Sequence, residues 1–401
     1  MSAYAVAAVI KLPASATKSP IVMEHHKMAA APRVHYNHTD SCKHLRWNAK
    51  ESYEYMYNRN WQPVVDFYSN IVSGKFSLSS LFQPTMMPLV EDDDAETAAD
   101  DNGKKNGRWA RFNYKIVVAY NGNSFDGWQK QPDLHTVQGI VETSLGRFVD
   151  DKKVASLKSK GLPIEGAAVV AGRTDKGVTA LKQVCSFYTW KTEDFSRDIA
   201  DAVNAAAPGS LRVVSVARVS RSFHPNFSAE WRRYMYIFPL CDDGSVFLEN
   251  SVDGGDDNED VEFKMKPRMF SVGKVDRLLH QLEGKLLSYK MFARDTKPSR
   301  NEGPPTECFM YHARATETTL PSLGTKVMCV ELVANRFLRR MVRVLVATSI
   351  REAAAGAEDD ALLKLMNATC RRATAPPAPP DGLCLVDVGY AKFDSAICFI
   401  S

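Results

Sequence analysis

Cysteine is sparse and unpatterned in this chain. The eight residues Cys42, Cys185, Cys241, Cys308, Cys329, Cys370, Cys384 and Cys398 form no CxxC pair. No Cys/His group has zinc-site spacing either, so no metal is expected. So thin a scatter is not a disulfide framework, and a reducing compartment is expected. Long apolar runs are also missing. The run from Val342 to Val346 is already broken by Arg343. Nothing approaches the ~18 consecutive apolar residues of a membrane helix, so no membrane partner is expected. No cofactor motif stands out. Charge of one sign is lacking too: 51 Lys plus Arg face 47 Asp plus Glu, a net +4. Taken alone, that balance argues against a nucleic-acid partner.

What is present corrects the last point. Glu91 to Asp101 carries seven acids and no base, and Asp242 to Glu262 carries nine acids and no base. Both read as solvated acidic loops, the first a linker and the second a surface insertion. Setting those sixteen acids aside leaves 31 against all 51 bases, a body of +20. A basic body with acidic loops fits a phosphate-rich partner.

With 45% hydrophobic and 24% charged residues over 401 positions, the chain can build a sizeable core across two or three domains. The expected organisation is an N-terminal extension over 1–108, a first half over 109–240, an acidic insertion over 241–267 and a second half over 268–401. In the extension, Met1 to Met23 holds two lysines and no acid. It reads either as a flexible tail or as a transit segment, without arginine, to a chloroplast or mitochondrion. Without such a signal, cytoplasm or nucleus is expected. Trp47 to Leu89 is aromatic-rich and reads as a small helical element packed on the main body.

From Trp109 onward, periodicity predicts strands at 114–120, 167–171, 183–190, 211–219, 231–238, 308–316, 326–333 and 384–390. It predicts helices at 136–149, 195–207, 275–286, 337–354 and 360–373. Strands and helices alternate on either side of the insertion. The fold class is therefore α+β, with two similar sheet-and-helix units.

Four segments carry chemistry. In the first, Gly172 to Gly177 (GRTDKG) follows a buried strand and sets Asp175 between Arg173 and Lys176. Glycines at both ends permit a tight loop, and the bases would keep the carboxylate ionised, fit to act as nucleophile or base. A turn Asp pairing locally is the plainer reading of the pattern alone. In the second, Arg232, Tyr234 and Tyr236 share one face of a strand. Such a face suits stacking on a base beside a phosphate, or ordinary cross-strand packing. In the third, Phe337, Met341 and Leu345 form the core stripe of a helix, with Arg339 and Arg343 projecting oppositely. Those arginines either face solvent or meet phosphate or Asp175. In the fourth, Tyr120 to Pro132 offers Phe125, Trp128, Gln129 and Gln131 as an aromatic and amide surface for RNA, or simply as a strand-to-helix loop.

Taken together and in order, these segments resemble the TruA-type tRNA pseudouridine synthases. GRTDKGV is similar to that family's strongest signature. YNGNSFDGWQKQ with Thr136-Val137-Gln138 resembles its opening motif. Phe223-His224, Phe227-Ser228-Ala229 and the Arg-Tyr-x-Tyr strand resemble the next block. Phe337 to Arg343 resembles the helix motif, and Ala375-Pro376-Pro377 with Gly382-Leu383 the C-terminal one. The resemblance covers roughly 280 residues, from Trp109 to Tyr390. It implies two sheet-and-helix halves joined around a central cleft. It also implies isomerisation of uridine to pseudouridine in RNA, most commonly the tRNA anticodon arm, without metal, nucleotide or redox cofactor.

By the same resemblance, Asp175 is the catalytic residue. Tyr234 packs on the target base, Arg343 pairs with the aspartate, and Arg173 replaces or holds the flipped-out base. Phe125, Gln129, Lys176, His224, Arg232 and Arg339 are the further expected RNA contacts. The departures are Pro225-Asn226 after the Phe-His pair, Lys176 after the aspartate, Thr179, and Ala347 to Ile350 in place of a Gly-rich stretch. They bear on the RNA target more than on the chemistry and, with the insertion and extension, suggest a divergent eukaryotic-type member. A homodimer and a monomer both occur among such enzymes. A non-catalytic RNA-binding protein on the same fold is the alternative that the departures favour.

Overall fold

The computed structural model describes residues 38–82, 111–162, 164, 166–191, 193–240, 266–294, 306–321 and 324–401. The Met1 to Met23 segment, the 91–107 linker and the 242–262 insertion lie outside those residues. The elements run α1 (Ala49–Tyr57), α2 (Gln62–Val72), β1 (Phe112–Tyr120), α3 (Val137–Leu145) and α4 (Asp151–Ser159). Next come β2 (Val169–Val170), β3 (Thr179–Thr189), α5 (Ser196–Ala206), β4 (Leu211–Val219) and β5 (Trp231–Pro239). The chain continues through α6 (Val272–His280), β6 (Lys285–Ser288), β7 (Glu307–Thr319) and β8 (Lys326–Ala334), and closes with α7 (Met341–Ala354), α8 (Ala361–Met366) and β9 (Leu383–Gly389).

The strands form one nine-stranded mixed sheet, ordered β4-β1-β3-β9-β5-β8-β7-β6, with β2 on β3. The α+β class is as expected, and the join between the two units is specific. β9 lies between them, antiparallel to β5 and parallel to the start of β3 through Thr179↔Cys384 and Ala180↔Leu385. β5 precedes the insertion in sequence yet pairs with β8 from Arg232 to Pro239. One apolar core gathers β1, β3 and β4 with α3 and α5. Another packs α6, α7 and α8 on one face of β5, β7 and β8.

The opposite face of that sheet is covered by the extension. Val64, Phe67, Tyr68 and Ile71 of α2 pack against Met235, Ile237, Cys329 and Cys384. As far as Phe82, where its described residues end, the aromatic segment is helical and docked. Its placement follows from its pattern, an amphipathic helix burying one stripe.

Several boundaries differ from expectation for visible reasons. The helix expected over 275–286 ends at His280, because Gly284 (φ +68) turns the chain into β6, which contains Leu286. The helix expected from Phe337 starts only at Met341, because Arg340 adopts φ +60 at its N-cap. The strand expected over 167–171 is a two-residue pair, Val169–Val170. Helix α4 has no buried residue, so no apolar stripe announces it. Every residue of α7 is buried, including Arg343, Arg351 and Glu352.

Candidate active site

The loop bearing Asp175 connects the strand end at Ala171 to Thr179, the first residue of β3. It is clasped from two sides. Trp128 N–H donates to the Thr174 carbonyl (3.1 Å), and Gly122 N–H donates to Thr179 Oγ1 (3.1 Å). A Cβ on Gly122 would lie 2.3 Å from the Val178 carbonyl carbon, so only glycine permits this approach. Gly177 sits at φ +83, and a Cβ there would meet Pro380 at 2.9 Å. Beneath the loop, Tyr120 Oη bonds Thr174 Oγ1 (2.7 Å), and Gln183 Nε2 donates to the Gly172 carbonyl (2.7 Å). Asp175 is therefore held on a loop whose own backbone is fixed.

Three guanidinium groups face its carboxylate. Arg343 Nη1 stands 3.6 Å from Oδ2, Arg340 Nε 3.7 Å from Oδ2 and Arg339 Nε 3.9 Å from Oδ1. Three bases around the first turn of a helix oppose its macrodipole, and the aspartate's negative charge offsets both. These distances are longer than charge-assisted hydrogen bonds. The carboxylate thus faces three guanidinium groups without a short hydrogen bond to any of them. Its side chain keeps 29% exposure, open to a substrate.

Arg343 itself is buried. Its Nε donates to the Ala378 carbonyl (2.6 Å), which comes from the Ala375 to Gly382 segment. Tyr234 on β5 lies half-buried, with Phe337 edge-on at 5.0 Å between ring centroids. Burial pushes its phenol up to about 12, so it stays protonated at neutral pH.

The structure brings together Asp175, Tyr234, Arg343 and Arg339. Arg173 is exposed on the same loop. Other expectations need correcting. Lys176 does not hold Asp175; its Nζ pairs with Asp126 at 2.8 Å. Phe125 and Trp128 form no RNA-facing surface. They are 3% and 0% exposed and pack under the loop beside Tyr120, while Gln129 beside them is exposed. Arg232 offers little to a phosphate. Its guanidinium donates to the carbonyls of Asn335 (2.7 Å), Asn226 (2.9 Å) and Ala171 (3.3 Å), tying loops together. Arg339 and Arg343 do not share a helix face, since Arg339 precedes the helix. His224 uses Nδ1 to accept the Asn226 and Phe227 N–H groups, and its ring lies 4.2 Å from that of Phe227, which is 82% exposed. Arg340 was missed. The signal is a third arginine in Arg339-Arg340-Met341-Val342-Arg343, but its contact with Asp175 follows from the φ +60 bend, which carries no sequence pattern.

A sequence profile described as "tRNA pseudouridine synthase" matches residues 290–391, which contain Phe337 to Arg343 and Ala375 to Leu383. A protein of Pelodictyon phaeoclathratiforme named "tRNA pseudouridine synthase A" is 30% identical over 284 residues, covering 69% of this chain and 99% of its own. The chain belongs to the TruA-type tRNA pseudouridine synthase family. Proteins of the same name from Thermotoga neapolitana and Leptospira biflexa are 29% and 28% identical, covering 67% and 69% of this chain and 95% and 94% of their own. The synthase is thus an isomerase, and its fold spans nearly the whole length of these relatives.

Proposed function

We propose that this synthase isomerises uridine in the anticodon arm of tRNA, with Asp175 starting the reaction. The observation that carries this is the partly open Asp175 carboxylate facing Arg339, Arg340 and Arg343 at 3.6–3.9 Å on a clasped loop. The isomerisation breaks the N1–C1′ bond, forms C5–C1′ and moves one proton from C5 to N1. Atoms and electrons balance within the nucleotide, so no co-reactant is required. Asp175 attacks the nucleotide or otherwise starts cleavage of the glycosidic bond. Tyr234 packs on the base while it is detached, its phenol still carrying a proton. Arg343 keeps Asp175 aimed.

The target uridine must first leave its stack, at a cost of a few kcal/mol. Exposed Arg173, on the same loop, is placed to fill the vacated position. Gln129, Lys176, His224 with Phe227, and Arg339 are the surface groups we assign to RNA. Arg232 and Phe125 support them from within. The basic body supplies the phosphate attraction.

The test is incubation with unmodified tRNA, followed by mapping of pseudouridine through carbodiimide adducts. Asp175→Ala should abolish product while RNA binding persists. Continued modification by that variant would sink the assignment of Asp175. Product outside the anticodon arm would overturn the target.

A further inference from the structure

Arg343 uses each of its three guanidinium nitrogens on a different partner. Nε donates to the Ala378 carbonyl at 2.6 Å, and Nη1 faces Asp175 at 3.6 Å. Nη2 meets the phenol oxygen of Tyr57 at 3.4 Å. Tyr57 is the last residue of α1, in the extension that precedes every family motif quoted above. The phenol lies 286 positions away in sequence from the arginine it touches.

The placement of Tyr57 is built, not incidental. Helix α1 opens with a capping box between Asn48 and Glu51. Just before it, Arg46 Nε pairs with Glu352 of α7 at 2.7 Å, where both side chains are buried (4% and 0% exposed). Trp47 Nε1 donates to the Pro267 carbonyl (2.9 Å), and the ring of Tyr53 stacks on Tyr57 with centroids 4.1 Å apart. Farther on, Tyr68 Oη donates to the Gly382 carbonyl (3.0 Å), in the segment that holds Arg343 Nε. The extension therefore grips α7, the Ala375 to Gly382 segment and the arginine between them.

A planar guanidinium held at Nε and Nη1 can still swing about the line joining those contacts. A third contact at Nη2 removes that motion. We infer that Tyr57 is a positioning residue for the isomerisation: its phenol oxygen accepts from Arg343 Nη2 and fixes the plane in which Arg343 faces Asp175. The N-terminal extension is then part of the catalytic apparatus. This inference rests on the assignment of Asp175 and Arg343 above. Orientation of a charged group before the reaction is the form of electrostatic assistance that depends most on such fixing.

The experiment is steady-state kinetics of the full chain on tRNA transcript, as a double-mutant cycle of Tyr57→Phe with Arg343→Lys. Tyr57→Phe keeps the ring and its stack and removes only the oxygen. We expect kcat to fall roughly fivefold, about the worth of one hydrogen bond, with KM and melting temperature unchanged. Lysine has no Nη2, so adding Tyr57→Phe to Arg343→Lys should cause no further loss. Wild-type kcat in Tyr57→Phe, a loss confined to KM, or losses that multiply in the double variant would each overturn the inference. Asp175→Ala is run alongside. Activity in that variant would remove the reading on which the inference stands, whereas an inactive Asp175→Ala beside a fully active Tyr57→Phe removes the inference alone.

Discussion

At Arg340 the backbone sits at φ +60, a conformation that a residue with a Cβ adopts only under constraint. The bend ends the approach to α7 and turns the Arg340 side chain onto Asp175. Strain and function are therefore separable by substitution. Arg340→Gly relieves the backbone and removes the charge, whereas Arg340→Ala removes the charge and keeps the strain. We expect the glycine variant to melt at or slightly above the wild-type temperature while turnover falls roughly tenfold or more. The alanine variant should lose turnover alike but melt near the wild-type temperature, about 1 kcal/mol less stable than the glycine variant. Thermal melts beside single-turnover assays read the two effects apart; unchanged turnover in both variants would show that Arg339 and Arg343 suffice.

The residues that local pattern could place were those whose partners lie in the same segment or whose chemistry is distinctive, such as Asp175 between glycines. Lys176 and Phe125 defeated local reading because burial and a partner 50 positions away, Asp126, decide their roles.

Among the elements, α7 depends on a buried charge network. Glu352 accepts from Arg46 Nε (2.7 Å) and from Arg351 Nη2 (2.7 Å), and Arg351 also donates to the Ala373 carbonyl. Removing the carboxylate's charge would leave buried Arg351 without its counter-charge and buried Arg46 with Asp40 alone. Glu352→Gln should therefore cost about 3 kcal/mol or more in chemical denaturation. A cost below about 1 kcal/mol would mean that the extension is only loosely tied to α7. Element type was largely legible here, since long β-branched runs and amphipathic stripes announce themselves. Boundaries were not. They turn on single dihedrals, at Gly284 and Arg340, which carry no periodic signal. Helix α4, with no buried residue, had no stripe to read.

For the whole molecule, pH response follows from groups that folding prevents from charging. Burial, helped by the nearby charges of Arg46 and Arg351, lowers His38 from 6.5 to about 4. Between those values the unfolded chain binds a proton that the folded chain refuses. Stability therefore falls as pH drops through that window. Melting temperature should be level above pH 7 and decline from about pH 6.5 downward. His38→Gln should flatten the decline down to about pH 5, before the carboxylates titrate. An unchanged slope in that variant would assign the effect elsewhere. The near-neutral total charge belongs to this scale too. It averages a basic body with two acidic stretches, and only the body contains the site.

The order of the sheet carries one more consequence. β9 is the wedge that joins β3 to β5, and it is the final strand in the described chain. Its two-residue parallel contact with β3 begins directly after the Asp175 loop, and its antiparallel ladder runs past Tyr234. A ribosome delivers Asp175 some two hundred residues before it delivers this strand. In the finished sheet, it is this late strand that links β3, which follows the Asp175 loop, to β5, which carries Tyr234. Assembly of the site therefore waits on non-local strand pairing, the kind of contact that folds slowly.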